Sequence, residues 1–237
     1  MRRFHIVHIV TATLVATTAF AGIAQAQGDQ GRGRGRGREQ QSDDRDKRIK
    51  DEQRRMDDYR RHLDDQARVA QQQAAQLQQS RRMAQYRAQQ EYAAQLDRQR
   101  EQLRAERRYD NEPYVVAAPT YRYQFNGAYH ETNQYGVDAL RQAVNYGYQR
   151  GYSAGAADRE DHWRFDYSNS PEYREATFGY TGSYVDLSDY SYYFRQGFQR
   201  GYQDGYYSRL RYGSGSNGTF SILADVLSGI LHLSPLR

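Results

Sequence analysis

The chain has 237 residues, of which 38% are hydrophobic, 14% aromatic and 27% charged, with 23 tyrosines and a formal net charge of +5. Its apolar supply is modest and rich in tyrosine, so much of the length is expected to be extended helix or disorder rather than packed core. There is no cysteine, which excludes disulfides, thiolate catalysis, Cys-ligated zinc and lipid attachment through a cysteine.

Residues 1–26 read as a signal peptide. Arg2 and Arg3 form a positive start, Ile6 to Ile23 is mostly apolar, and Ala24-Gln25-Ala26 is a small-x-small cleavage pattern. Cleavage after Ala26 places the mature chain in the periplasm or outside the cell, with no integral membrane span. A retained anchor is the other reading, disfavoured because the apolar run is short and no stop-transfer flank follows.

Residues 27–42 form a Gly/Arg tail in which glycine and arginine alternate from Gly31 to Arg38. Backbone freedom and charge repulsion predict a disordered, solvated segment. Arg32, Arg34, Arg36 and Arg38 are candidate contacts to a polyanion such as DNA, acidic glycan or lipopolysaccharide. A plain spacer is the bland alternative.

Residues 43–110 predict one long Gln/Arg-rich helix, because no proline or glycine occurs from Asp43 to Arg108 and pairs such as Asp57/Arg61 and Asp64/Arg68 stand four apart. Apolar residues recur every seven at Ile49, Met56, Leu63, Ala70, Leu77 and Ala84. The register then slips and resumes at Leu96 and Leu103. Companion positions four residues on, including Gln53, Arg60 and Arg81, are mostly polar or small, so the seam is a weak coiled coil. It would support either a homo-oligomer or an isolated, charge-braced helix.

Residues 111–131 are a linker opened by Asn111-Glu112-Pro113. Within it Tyr121, Tyr123 and Phe125 alternate up to Asn126-Gly127, predicting a short extended segment and a turn.

The most ordered pattern lies in residues 132–212. Gly147, Gly151 and Gly155 step by four, and Gly197, Gly201 and Gly205 repeat the ladder fifty residues on. Tyr148 and Tyr152 in the first copy correspond to Phe198 and Tyr202 in the second. Two amphipathic helices follow, the first capped by Thr132 or Asn133 and the second by Asp186 or Ser188. Gln142, Asn145, Gln149 and Arg150 are assigned to the wet face of the first. Glycine costs roughly 1 kcal/mol in a helix relative to alanine. Close packing of the bare faces, with the aromatic rings covering the seam, must offset that cost. These ten glycine and aromatic positions are the candidate helix-packing residues of a helical hairpin. Ser170-Pro171-Glu172 starts a short connecting helix that ends before Gly179.

Residues 213–219 read as a Gly/Ser/Asn linker. Residues 220–234 predict an apolar amphipathic helix carrying Ile222, Leu223, Val226, Leu227, Ile230 and Leu231. It is too short to span a bilayer. Docking on the tyrosine-rich hairpin or dimerisation is expected, with membrane-surface contact as the alternative.

The strongest candidate for chemistry is Asp158, Glu160, Asp161, His162 and Asp166. One histidine and no calcium-loop order make it a solvated helix end beside Trp163 and Phe165, so no catalytic residue, metal or cofactor is expected. Tyrosine rings could also stack sugars or nucleobases, although packing is the preferred role.

The Gly147 to Arg159 and Phe194 to Tyr207 segments, with Phe165-Asp166-Tyr167 and Tyr173-Arg174-Glu175-Ala176 between them, resemble a group of exported bacterial proteins with duplicated Gly-Tyr helices. The resemblance covers about Tyr121 to Tyr212. It implies an exported setting and this architecture, and carries over no catalytic residue. The expectation is thus an all-α, exported, non-enzymatic structural or interaction protein.

Overall fold

The computed structural model describes residues 33–105, 117–216 and 219–236. The expected signal peptide, Arg32 and the proline that ends the long helix lie outside the described residues. The chain divides into a unit ending at Glu39 and a second unit from Gln40 onward. Of the first, the described part is the opening turns of helix α1 (Gly33–Gln79). Residues 33–42, expected within the tail, are thus helical, since adding turns to an existing helix avoids a fresh nucleation cost. The second unit carries the rest of α1 and every later element.

The single helix expected over 43–110 is two. Helix α1 stops at Gln79 and α2 runs Met83–Ala105, with a reversal at Ser80, Arg81 and Arg82 in which Arg81 takes a left-handed φ of 59°. The two lie antiparallel. Arg60 donates to the Leu103 carbonyl at 2.9 Å, and further toward the turn Arg100 pairs with Asp64 at 2.5 Å. Met56, Leu63 and Ala70 of the seven-residue repeat are buried within the chain itself. A further buried row stands three residues on, at Tyr59 and Gln66, while of the companion positions four residues on Ala67 is buried too.

A small antiparallel sheet departs from the all-α expectation. Strand β1 (Tyr121–Phe125) pairs with β2 (Ala128–Thr132) around Asn126 and Gly127, both at positive φ, as a tight hairpin turn requires. Helix α3 (Gln134–Glu160) follows, and Asn133 caps it by accepting from the Gly136 amide at 3.2 Å. A 3-10 turn (Tyr167–Asn169) and the short α4 (Pro171–Glu175) lead to α5 (Leu187–Tyr207). The connecting helix is shorter than expected because Ala176 turns left-handed at φ 54°.

Residues expected as a linker instead form strand β3 (Gly213–Ser216), paired with β4 (Thr219–Ile222). The last helix, α6 (Ala224–Leu231), therefore begins later than predicted, and Ile222 belongs to a strand. β5 (Ser234–Pro235) closes the far edge of β1. The core gathers Leu140, Val144, Tyr148, Phe194, Phe198 and Tyr202 from α3 and α5, with Tyr59, Leu63, Tyr92 and Leu96 from α1 and α2. Among the described residues, no helix is long and apolar enough to cross a membrane.

Candidate functional site: the glycine seam and the charged joint beside it

Helices α3 and α5 meet along the two glycine ladders. A Cβ built on Gly147, Gly151 or Gly155 would lie 2.0, 2.1 and 2.2 Å from the carbonyl oxygens of Phe194, Phe198 and Tyr202. The reverse holds as well: Gly197, Gly201 and Gly205 face the carbonyls of Val144, Tyr148 and Tyr152. Residue numbers rise together along both helices, so they run parallel rather than up and down, and the segment from Asp161 to Asp186 must carry the chain back. Only glycine lets two backbones approach this closely, in the geometry where Cα–H groups meet carbonyls. The rings of Phe194, Phe198, Tyr202 and Tyr206 stack in succession along α5 at centroid spacings of 6.1–6.3 Å.

Two hydroxyl braces cross the seam. Tyr148 on α3 donates to Asp204 on α5 at 2.8 Å, and Tyr202 on α5 donates to Asp158 on α3. Asp204 also accepts from the backbone amides of Arg211 and Tyr212, which pins the chain as it leaves α5.

Parallel helices bring two carbonyl-rich ends together, where the macrodipoles favour cations. Arg159 of α3 accordingly donates to the Gly205 carbonyl at 2.7 Å. Asp158 has the wrong sign for this end, and burial pushes its carboxyl above the usual range despite the opposing effects of Tyr202 and Arg82.

Three members of the acidic group singled out as a candidate for chemistry, Asp158, Glu160 and Asp161, form the joint between the two helix pairs. Arg82, from the α1–α2 reversal, pairs with Asp158 and lies 4.3 Å over the Trp163 ring. Asp161 accepts from the amides of Ala84 and Gln85, each at 2.8 Å, and so caps the start of α2. Glu160 pairs with Arg87, and Asp166 accepts from Arg164, Ser168 and Asn169. His162 takes a left-handed φ of 54° beyond the end of α3. Sequence reasoning gave Arg82 no role and Trp163 only that of a neighbour.

Arg150 corrects another expectation. Assigned to the wet face, it is 6% exposed and grips Glu172 of α4 through two bonds of 2.9 and 2.7 Å, with Gln95 of α2 at 3.2 Å. Helix α2 covers the face that an isolated pair would leave in water. The bidentate geometry and the Tyr92 ring beneath it, 5.3 Å away, offset the loss of hydration.

Between the reversal and the segment from Trp163 to Arg174 lies a cavity of about 320 Å³. Gln73, Arg82, Gln85, Asp158, Ser170 and Arg174 are among its walls. Arg34, Arg36 and Arg38 lie on the first turns of α1, and Arg32 is outside the described residues. Comparison with protein-family models, with curated proteins and with solved structures finds no match to this chain.

Proposed function

We propose that the protein is an exported, non-enzymatic structural or interaction protein, kin to the exported proteins with duplicated Gly-Tyr helices that it resembles. The observation that carries this reading is the use of the acidic group. Asp158, Glu160 and Asp161 are engaged by donors of α2 and the reversal before it, holding one helix pair on the other, and Asp166 is engaged by donors of its own segment. A general acid or base must instead be free to face a substrate proton. The leader of Arg2, Arg3, the apolar run and Ala24-Gln25-Ala26 supports export. The burial of Met56, Leu63 and Ala70 within the chain favours a partner other than a second copy bound through that seam.

Two measurements on the native cell test the proposal. Fractionation with N-terminal sequencing should find the chain outside the cytoplasm and beginning at Gln27; a cytoplasmic chain that keeps Met1 overturns export. Crosslinking in intact cells should recover a discrete partner, and recovery of monomer alone overturns the interaction role.

A further inference from the structure

The interior of the α1–α2 pair changes character along its length. At the open end it is built from Tyr59, Leu63, Leu96 and Leu103, all buried. Toward the reversal the same inward rows carry glutamine: Gln73 on α1, and Gln85 and Gln89 on α2, the latter two 4% and 0% exposed. The Oε1 atoms of Gln73 and Gln85 and both amide atoms of Gln89 are buried without a hydrogen-bond partner in the chain. So are Arg82 Nε and Ser170 Oγ. Buried polar groups are normally satisfied, and leucine at these seam positions would make the stronger helix pair. A core that carries several such groups together gives up stability for something else.

Four of them, on Gln73, Arg82, Gln85 and Ser170, line the cavity beside the reversal. Its volume of about 320 Å³ is at the small end of the range for small-molecule sites. We propose that this cavity binds a neutral polyhydroxylated ring, a saccharide unit of a glycan outside the cytoplasm. The inference rests on the interaction reading, for which it names a ligand.

The chemistry of the walls selects that class. The amide oxygens of Gln73 and Gln85 accept, Arg82 Nε donates and the Ser170 hydroxyl can do either, so the walls offer both roles that a ring of hydroxyls requires. The charges on the walls balance, Arg82 and Arg174 against Asp158 and Asp166, with Arg82 paired to Asp158 and Asp166 held by Arg164, Ser168 and Asn169. A phosphate or carboxylate ligand would have to compete with those carboxylates. Trp163, 40% exposed with the Arg82 guanidinium over its ring, adds the remaining apolar ring surface, against which the C–H groups of a sugar can pack.

The test uses the full mature chain and a panel of neutral oligosaccharides of hexoses and N-acetylhexosamines, read by saturation-transfer NMR and calorimetry. At least one should bind, with affinity unchanged between low and high salt. Gln85→Met keeps the shape but removes the polar end, and should weaken binding by about tenfold or more while leaving the near-ultraviolet tyrosine spectrum unchanged. Ser170→Ala serves as the second variant if the first does not fold. Three results would each overturn the site: no transfer from any member of the panel, full-strength binding by folded variants, or an affinity that collapses with salt and so marks an anion site. A chain that keeps its crosslinked partner yet shows no saccharide transfer loses this site and retains the proposed function.

Discussion

The carbonyl oxygen of Phe198 stands where a methyl group on Gly151 would have to go, and the obstacle is backbone, which cannot swing aside. Gly151→Ala gains about 1 kcal/mol of helix propensity but must push two helices apart, so a net loss of about 2–3 kcal/mol is expected. Gly229 in α6 has nothing within 4 Å of a built Cβ. There the same change should stabilise by about 0.5–1 kcal/mol. Urea unfolding of the two variants checks both signs, and equal effects would contradict the seam. The four-residue ladder made the need for small residues legible from the sequence. Arg150 was less so: its neighbour Gln149 is only partly buried, and nothing local distinguishes them. Glu172, the partner that draws Arg150 inward, looked like an ordinary first-turn acid.

At the scale of elements, the reversal between α1 and α2 contains neither glycine nor proline, the usual punctuation of such a turn. Its capping group comes from elsewhere. Asp161, far downstream, supplies the carboxylate that satisfies the first amides of α2 and complements the positive end of that helix. Asp161→Ala should therefore cost about 1–2 kcal/mol. Hydrogen exchange at Ala84 and Gln85 should accelerate while the amides of α5 stay protected. Uniform acceleration across both would show that Asp161 does not act at this end alone. The one local trace of the reversal was the slip in the seven-residue register after Ala84. The β1–β2 hairpin was half visible in the alternation of Tyr121, Tyr123 and Phe125. Strands β3 and β5 were not, because Gly213–Ser216 and Ser234–Pro235 carry no alternation of large apolar and polar side chains and are ordered by their pairing.

For the whole molecule, buried phenols are part of the framework. Tyr123, Tyr148 and Tyr202 donate to Asp189, Asp204 and Asp158. Burial first, and these carboxylates second, push their ionisation well above the ordinary tyrosine value. In the unfolded chain the same groups release their protons near pH ~10. Their contribution to stability is whole below that pH and is lost as pH rises beyond it, because only the unfolded state ionises. Alkaline titration should thus show tyrosinate absorbance and loss of helical circular dichroism rising together in one transition. Phenols that ionise near pH ~10 while the helices persist would contradict the braces.

The parallel course of α3 and α5 makes each rung of the seam its own mirror: Gly147 meets Phe194 as Gly197 meets Val144, its counterpart in the other copy. Such a self-complementary contact is what two identical chains form across a two-fold axis. The duplicated helices thus have the form of a dimer joined end to end into a single polypeptide. Once both halves share one chain, each can diverge: the first has Ala154 where the second has Asp204 to receive the Tyr148 hydroxyl.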